Sequence, residues 1–306
     1  MNAIKIPKTT SDTNTATTTP QLMDEGLKPR PNAVRTLLRD PRVSISSGVL
    51  ILFILAGLLA PLISPYETEY MDYTATLASP SRAHLLGTDQ LGRDVLSRLL
   101  HGARISLQIA VYSVALALVL GVAMGVTSSY LGGWIDNLIM RLMDILLAFP
   151  ALVLAITVAA YLGPSLRNVA LVIGIVYMPI FARLTYVITR TVMKMEYVEA
   201  ARAIGASPIR LILRAILPNS VAPLIVQTSL SLGFAILTES GLSFLGLGVP
   251  PPAPSWGSEI ASSRLTLDQA PLLVLWPSIT IAAAILSFNL LGDSLRDHLD
   301  PRVRKG

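Results

Sequence analysis

The chain has 306 residues, 52% hydrophobic and only 14% charged, with a net charge of +5 and no cysteine. An ordinary soluble domain carries about 25% charged residues, so with a mean hydropathy of +0.61 this is a membrane composition. It excludes disulfides, and its basic residues are not clustered with aromatics in the manner of a nucleic-acid-binding surface.

In chain order, residues 1–45 are polar, with a Thr/Ser/Asn run and Pro20, Pro31 and Pro41, and read as a disordered cytoplasmic tail. No apolar core follows the N-terminus, so no cleaved signal peptide is expected. The first apolar run, Ser46–Ile63, holds 18 uncharged residues, about enough to cross ~30 Å of hydrocarbon. Arg35, Arg39 and Arg42 precede it and place the N-terminus in the cytoplasm.

Residues 64–104 then form a polar external loop. Within it, 90–101 predicts a separate amphipathic surface helix, capped by Thr88 or Asp89, apolar along Val95, Leu96, Leu99 and Leu100, and ended by Gly102. Ile105–Ile135 contains the second span and a Gly132-Gly133 turn. Its Gly121 and Gly125 make a G-x-x-x-G, which either permits close helix contact or is chance spacing. Ile145–Leu166 predicts the third span, Asn168–Thr189 the fourth, Ala215–Thr238 the fifth and Ala270–Gly292 the sixth. Residues 246–269 form a second external loop, rich in proline, and 293–306 a basic cytoplasmic tail. Fold class is therefore all-α: a polytopic membrane protein whose transmembrane domain, 46–292, has six helices. Glu239 lies 21 residues after Pro218, ~31 Å at 1.5 Å per residue, and reads as a water-contacting acid near the external face in preference to a buried gate paired inside the bundle.

Between the fourth and fifth spans, 190–214 is basic and expected in the cytoplasm. Tyr197, Ala200, Ala201 and Ile204 fall at i, i+3, i+4, i+7 as the apolar side of a first helix, with Glu199 in reach of Arg202. Gly205 suits the left-handed residue that ends a helix. Ser207 can cap a second helix, and Pro208 fits its first turn. Ile209, Ile212, Leu213 and Ile216 continue the pattern, with Arg210 and Arg214 as its charges. The result is a helix-Gly-helix elbow between apolar spans.

His84, His101 and His298 are scattered without ligand spacing, so no metal site is expected. No G-x-x-x-x-G-K-[ST] loop occurs, so the chain does not bind ATP in the P-loop manner. No nucleophile–base constellation is found, and no catalytic residue is assigned.

Glu199-Ala200-Ala201, Gly205 and Ile216-Leu217-Pro218 resemble the EAA loop of ABC importer permeases, although the usual ending is I-x-L-P and here it is I-L-P. HLLGTDQLGRDVLSRLLHGARISL (84–107), ESGLSFLGLGVPPPAPSWG (239–257) and NLLGDSLRDHLDPR (289–302) resemble the second permease of dipeptide, oligopeptide, glutathione and nickel importers. The resemblance covers roughly residues 80–303. It implies a type I ABC importer permease in a bacterial inner membrane, importing peptides, or nickel or glutathione in the same class. It implies a related permease as heterodimer partner, two cytoplasmic ATPase subunits that hold ATP and Mg, and an extracellular or periplasmic binding protein. This chain itself would bind no cofactor. The resemblance assigns coupling to the ATPases to Glu196, Glu199, Ala200, Ala201, Arg202, Gly205, Ser207, Pro208 and Arg210. The rival class is a secondary transporter driven by an ion gradient, which usually places ionisable residues deep in its spans.

Overall fold

A computed structural model describes residues 40–299. The tail expectation for 1–39, and the basic residues after Leu299, lie outside them. Among the described residues all regular structure is helical, apart from an isolated bridge between Thr88 and Asp94.

Helix α1 is Pro41–Ile63, so it starts inside the stretch read as tail; Asp40 caps it and Pro41 occupies its first turn. Helix α2, Val95–Leu131, is longer than the second span read from hydropathy. The separate amphipathic helix expected at 90–101 does not exist. Residues 95–101 are the first two turns of α2, and its cap is Asp94, which accepts from the Ser97 amide. Gly102 does not end a helix, because a partner needs its small size: a Cβ there would come within 3.2 Å of the Trp256 ring. A glycine against a bulky neighbour reads as a stop signal from sequence alone.

The third span is also different. It begins at Gly133 and is broken: α3, Gly133–Ala148, meets α4, Ala151–Leu162, at a bend of 96°. Pro150 explains the break, since it has no N–H to donate and disfavours helical φ/ψ at Phe149. Then come α5, Leu166–Val192, the short α6, Glu196–Ala203, and α7, Pro208–Phe244. Helix α8, Trp256–Ser263, and α9, Leu272–Leu299, complete the chain. Helix α9 continues through 293–299, which had read as tail. Five helices are long and apolar enough to cross a membrane, and α3 with α4 makes a sixth crossing when taken as one broken span.

The bundle is organised on α2 and α5, which share the most extensive interface. Lipid tails are as apolar as leucine, so helices associate there through close packing of small residues. Gly121 and Gly125 supply it. A Cβ on Gly121 would lie 2.6 Å from the Phe181 Cβ, and one on Gly125 would collide with the Ala182 carbonyl oxygen. The G-x-x-x-G is therefore a contact surface. Ile109, Val114, Ile173 and Phe181 are buried around it. Helix α7 packs against α9 and α2, and α8 packs on α2, α7 and α9.

Candidate functional site

The elbow forms as two helices joined at Gly205, but its faces are not those expected. Helix α6 ends in the hydrogen bonds of a Schellman cap: Ala206 N donates to Ala201 O and Gly205 N to Arg202 O, both at 2.9 Å. Gly205 has φ +83°, the left-handed region that this cap requires. Ser207 then accepts from the Arg210 amide, with Pro208 in the first turn.

The second helix is not a separate piece. After a π-helical turn at Ile212–Ile216 it continues directly into the fifth span as α7. Movement of the elbow is thus movement of the end of a 37-residue helix.

Of the stripe Tyr197, Ala200, Ala201, Ile204, only Ala201 packs against the protein core, and the other three are exposed. Val198 is the buried residue of α6, packed with Val126, Val192, Leu211, Ala215 and Ile216. About two turns of helix are too short for spacing alone to choose between faces, and docking on α2, α5 and α7 chose Val198. Ile204, Ile209 and Leu213 are left 88%, 70% and 58% exposed. They project from a short segment whose other exposed side chains are mostly polar or charged. Glu196, Glu199, Ala200, Arg202, Ser207, Pro208 and Arg210 are exposed around them, and Ala201 and Ala206 are half-buried.

Nor does Glu199 pair with Arg202. The Arg202 guanidinium reaches the Met193 Sδ at 3.3 Å and lies 5.9 Å from the centre of the Tyr130 ring. One tether invisible in sequence holds the elbow, and a polar cluster joins the helices beside it. Asn219 on α7 donates to the Tyr197 hydroxyl at 3.1 Å, tying α6 to α7. Asp136, at the start of α3, accepts from Ser128, Tyr186 and Arg190, tying α2, α3 and α5 just beneath it.

At the opposite end of the bundle, a second polar cluster overturns the expectation for Glu239. This side chain is fully buried. Its Oε1 accepts from Ser243 at 2.7 Å and Ser255 at 2.8 Å, and its Oε2 from Ser106 at 3.3 Å. Ser106 Oγ in turn accepts from the Trp256 amide, and the Trp256 indole N–H donates to Leu99 O. Ser255 also closes a capping box on α8 with Ser258. Beside this cluster, Arg98 grips Glu259 through Nε and Nη2, with Nη2 to Oε1 at 2.8 Å. Its Nη1 donates to Thr68 O. The 246–269 loop is thus a folded cap latched onto α2 and α7. The serines that bring Glu239 inside come from α2, α7 and the loop, so no local pattern announces them.

Glu239→Leu is expected to strand three hydroxyls, at ~1–3 kcal/mol for each buried group left unsatisfied, whereas Glu239→Gln keeps an acceptor. Purified Glu239→Leu should melt earlier than Glu239→Gln and be cut faster by protease within 246–269. Equal melting and equal cleavage would show that the cluster does not hold the cap.

Comparison with known proteins agrees with this architecture. Residues 117–305 match the family model described as binding-protein-dependent transport system inner membrane component. Residues 30–80 match the N-terminal TM domain of oligopeptide transport permease C, so the likeness reaches further back than residue 80. The glutathione transport system permease protein GsiD of Pectobacterium atrosepticum is 41% identical over 272 residues, 88% of this chain and 90% of that one. The dipeptide transport system permease protein DppC of Alkalihalophilus pseudofirmus is 41% identical over 278 residues, 91% of each. The di/tripeptide transport system permease protein DppC of Pseudomonas aeruginosa is 44% identical over 261 residues, 83% of this chain and 86% of that one.

Proposed function

This chain belongs to the family of inner membrane components of binding-protein-dependent transport systems, and on that premise we propose that it forms half of the pathway of a short-peptide importer and couples it to ATPase subunits through the elbow at 196–214. It is a multi-pass permease subunit of an ABC importer. The observation that carries the coupling role is the elbow's build. It offers an apolar tip of Ile204, Ile209 and Leu213, and the fifth span continues from it without interruption. A subunit that grips this tip moves the span as a lever. ATP and Mg would reside in two such subunits, their closure opening the bundle outward and hydrolysis resetting it. A related permease would supply the other half of the pathway. The relatives' names give glutathione, dipeptides and di/tripeptides as cargo. These are short peptides carrying both a carboxylate and an ammonium group, and peptides of this kind are the proposed cargo here.

In this orientation both ends of the chain and the elbow face the cytoplasm, and 64–94 with the 246–269 cap face outward. The test is reconstitution with the partner permease, ATPases and binding protein. The ATPases should co-purify, and dipeptide uptake into vesicles should need ATP. Uptake driven by an ion gradient without ATP would reject the importer reading in favour of a secondary transporter. In this Cys-free chain, cysteines placed at Ser81 and Ser207 should label from opposite sides of the membrane. Labelling of both from one side would reject the orientation.

A further inference from the structure

Two ion pairs join α3 to α5. Asp136 pairs with Arg190, and Asp144 pairs with Arg183. The partners are eight residues apart on α3 and seven on α5, so the helices run antiparallel, side by side. The second pair lies ~10–12 Å deeper than the first at 1.5 Å per residue. Helix α5 has 27 residues, ~40 Å against ~30 Å of hydrocarbon, so with the helix upright and centred on the apolar layer Arg183 lies about 8 Å inside it.

At that depth the pair is open to the bundle surface, its side chains 53% and 43% exposed. Arg183, Val187 and Arg190 are the exposed positions of this part of α5, at i, i+4, i+7. Five residues beyond Asp144 comes the 96° break. Phe149 and Pro150 are exposed there, and no side chain caps the start of α4. The last carbonyls of α3 and the first N–H groups of α4 therefore reach no partner within their own helices.

Hydrocarbon cannot cover such a face. A charged side chain and free backbone groups facing lipid are each strongly unfavourable, and broken helices occur at membrane depth only where they are buried in protein or line water. A dry protein interface fits no better. Arg183 has five N–H donors and uses one, on Asp144. Sealing the rest against an apolar neighbour would leave them unsatisfied. Water satisfies both the guanidinium and the helix break.

We propose that the face carrying Asp144, Arg183, Val187 and the Phe149–Pro150 break lines the water-filled pathway for charged solutes. The assignment rests on the importer reading and gives it a location. The paired carboxylate and guanidinium present both signs of charge to a zwitterionic peptide, so the wall repels neither of its ends.

The test uses the full transporter with single cysteines at Val187 and, as a control, at the exposed Leu58 of α1. A thiol reacts as its thiolate, which forms in water and not in hydrocarbon. Val187→Cys should therefore react with a charged, water-soluble thiol reagent at least about tenfold faster than Leu58→Cys. Its rate should change when the ATPases are trapped with a non-hydrolysable ATP analogue. A rate as slow as that of Leu58→Cys in every nucleotide state overturns the assignment. Cross-linking of Val187→Cys to the second permease together with a rate as slow as that of Leu58→Cys also overturns it, by showing a packed, water-free interface. Dipeptide uptake with an unreactive Val187→Cys sinks the pathway face alone. A reactive, nucleotide-sensitive Val187→Cys without dipeptide uptake sinks the cargo alone.

Discussion

Gly205→Val is expected to insert and assemble normally yet lose most ATP-driven uptake. Gly205 sits at φ +83°, and a Cβ there meets nothing within 4 Å, so the penalty comes from the backbone and not from a clash. A left-handed conformation costs a β-branched residue ~1–2 kcal/mol. Escape from it breaks the Schellman cap and turns α6 away from the start of α7. A bias of that size lowers the population of the docked geometry roughly 5–30-fold. The spans are untouched, because Gly205 lies outside every one of them. Gly205→Asn, which tolerates the left-handed region, should retain most uptake. The measurements are uptake and ATPase activity side by side in reconstituted vesicles. Full uptake by Gly205→Val would reduce the elbow to a passive loop. Failure of that variant to insert would make it a folding element and remove the case for coupling.

Arg98→Leu is expected to be the most destabilising single change at the outer end. Arg98 and Glu259 are nearly inaccessible, with side-chain exposures of 5% and 6%. Removing one member of a buried pair leaves the other charged and unpaired, at ~3–5 kcal/mol. The contact to Thr68 O, which with Tyr66 N to Ser97 Oγ ties the 64–94 loop to α2, is lost as well. Arg98→Leu combined with Glu259→Leu removes both charges and should recover much of the loss, since a buried pair is often replaceable by apolar residues. Thermal unfolding of the purified single and double variants measures the coupling. An unchanged midpoint for Arg98→Leu would mean that the cap is held elsewhere, at Trp256 and the Glu239 cluster.

Several features were legible because their cause is local. Uncharged runs long enough to cross hydrocarbon located the spans, since the bilayer imposes that length on any helix within it. Gly205, Ser207 and Pro208 announced the elbow through their own φ/ψ preferences and donor groups, and each occupies the position those preferences indicate. The break at Phe149–Pro150 was within reach of the same reasoning, because proline restricts the residue before it wherever it stands.

The remainder was decided by contacts between residues far apart in the chain. Spacing in α6 offered Tyr197, Ala200, Ala201 and Ile204 as its apolar side, but the residue sealed inside is Val198, because α2, α5 and α7 converge on it. Glu239 read as a wet interfacial acid from its distance along the helix. It is dry because Ser106 and Ser255, 133 and 16 residues away, fold over it. Arg98 and Glu259 are 161 residues apart, and no local pattern links them. The composition and periodicity of this chain determined that it is a six-span membrane bundle with an elbow between its fourth and fifth spans. Which polar groups are sealed inside that bundle, and which stand open at membrane depth, only the packing of the helices decided. A charge's free energy depends on the partners and water within a few ångströms of it, and those are chosen by the tertiary fold.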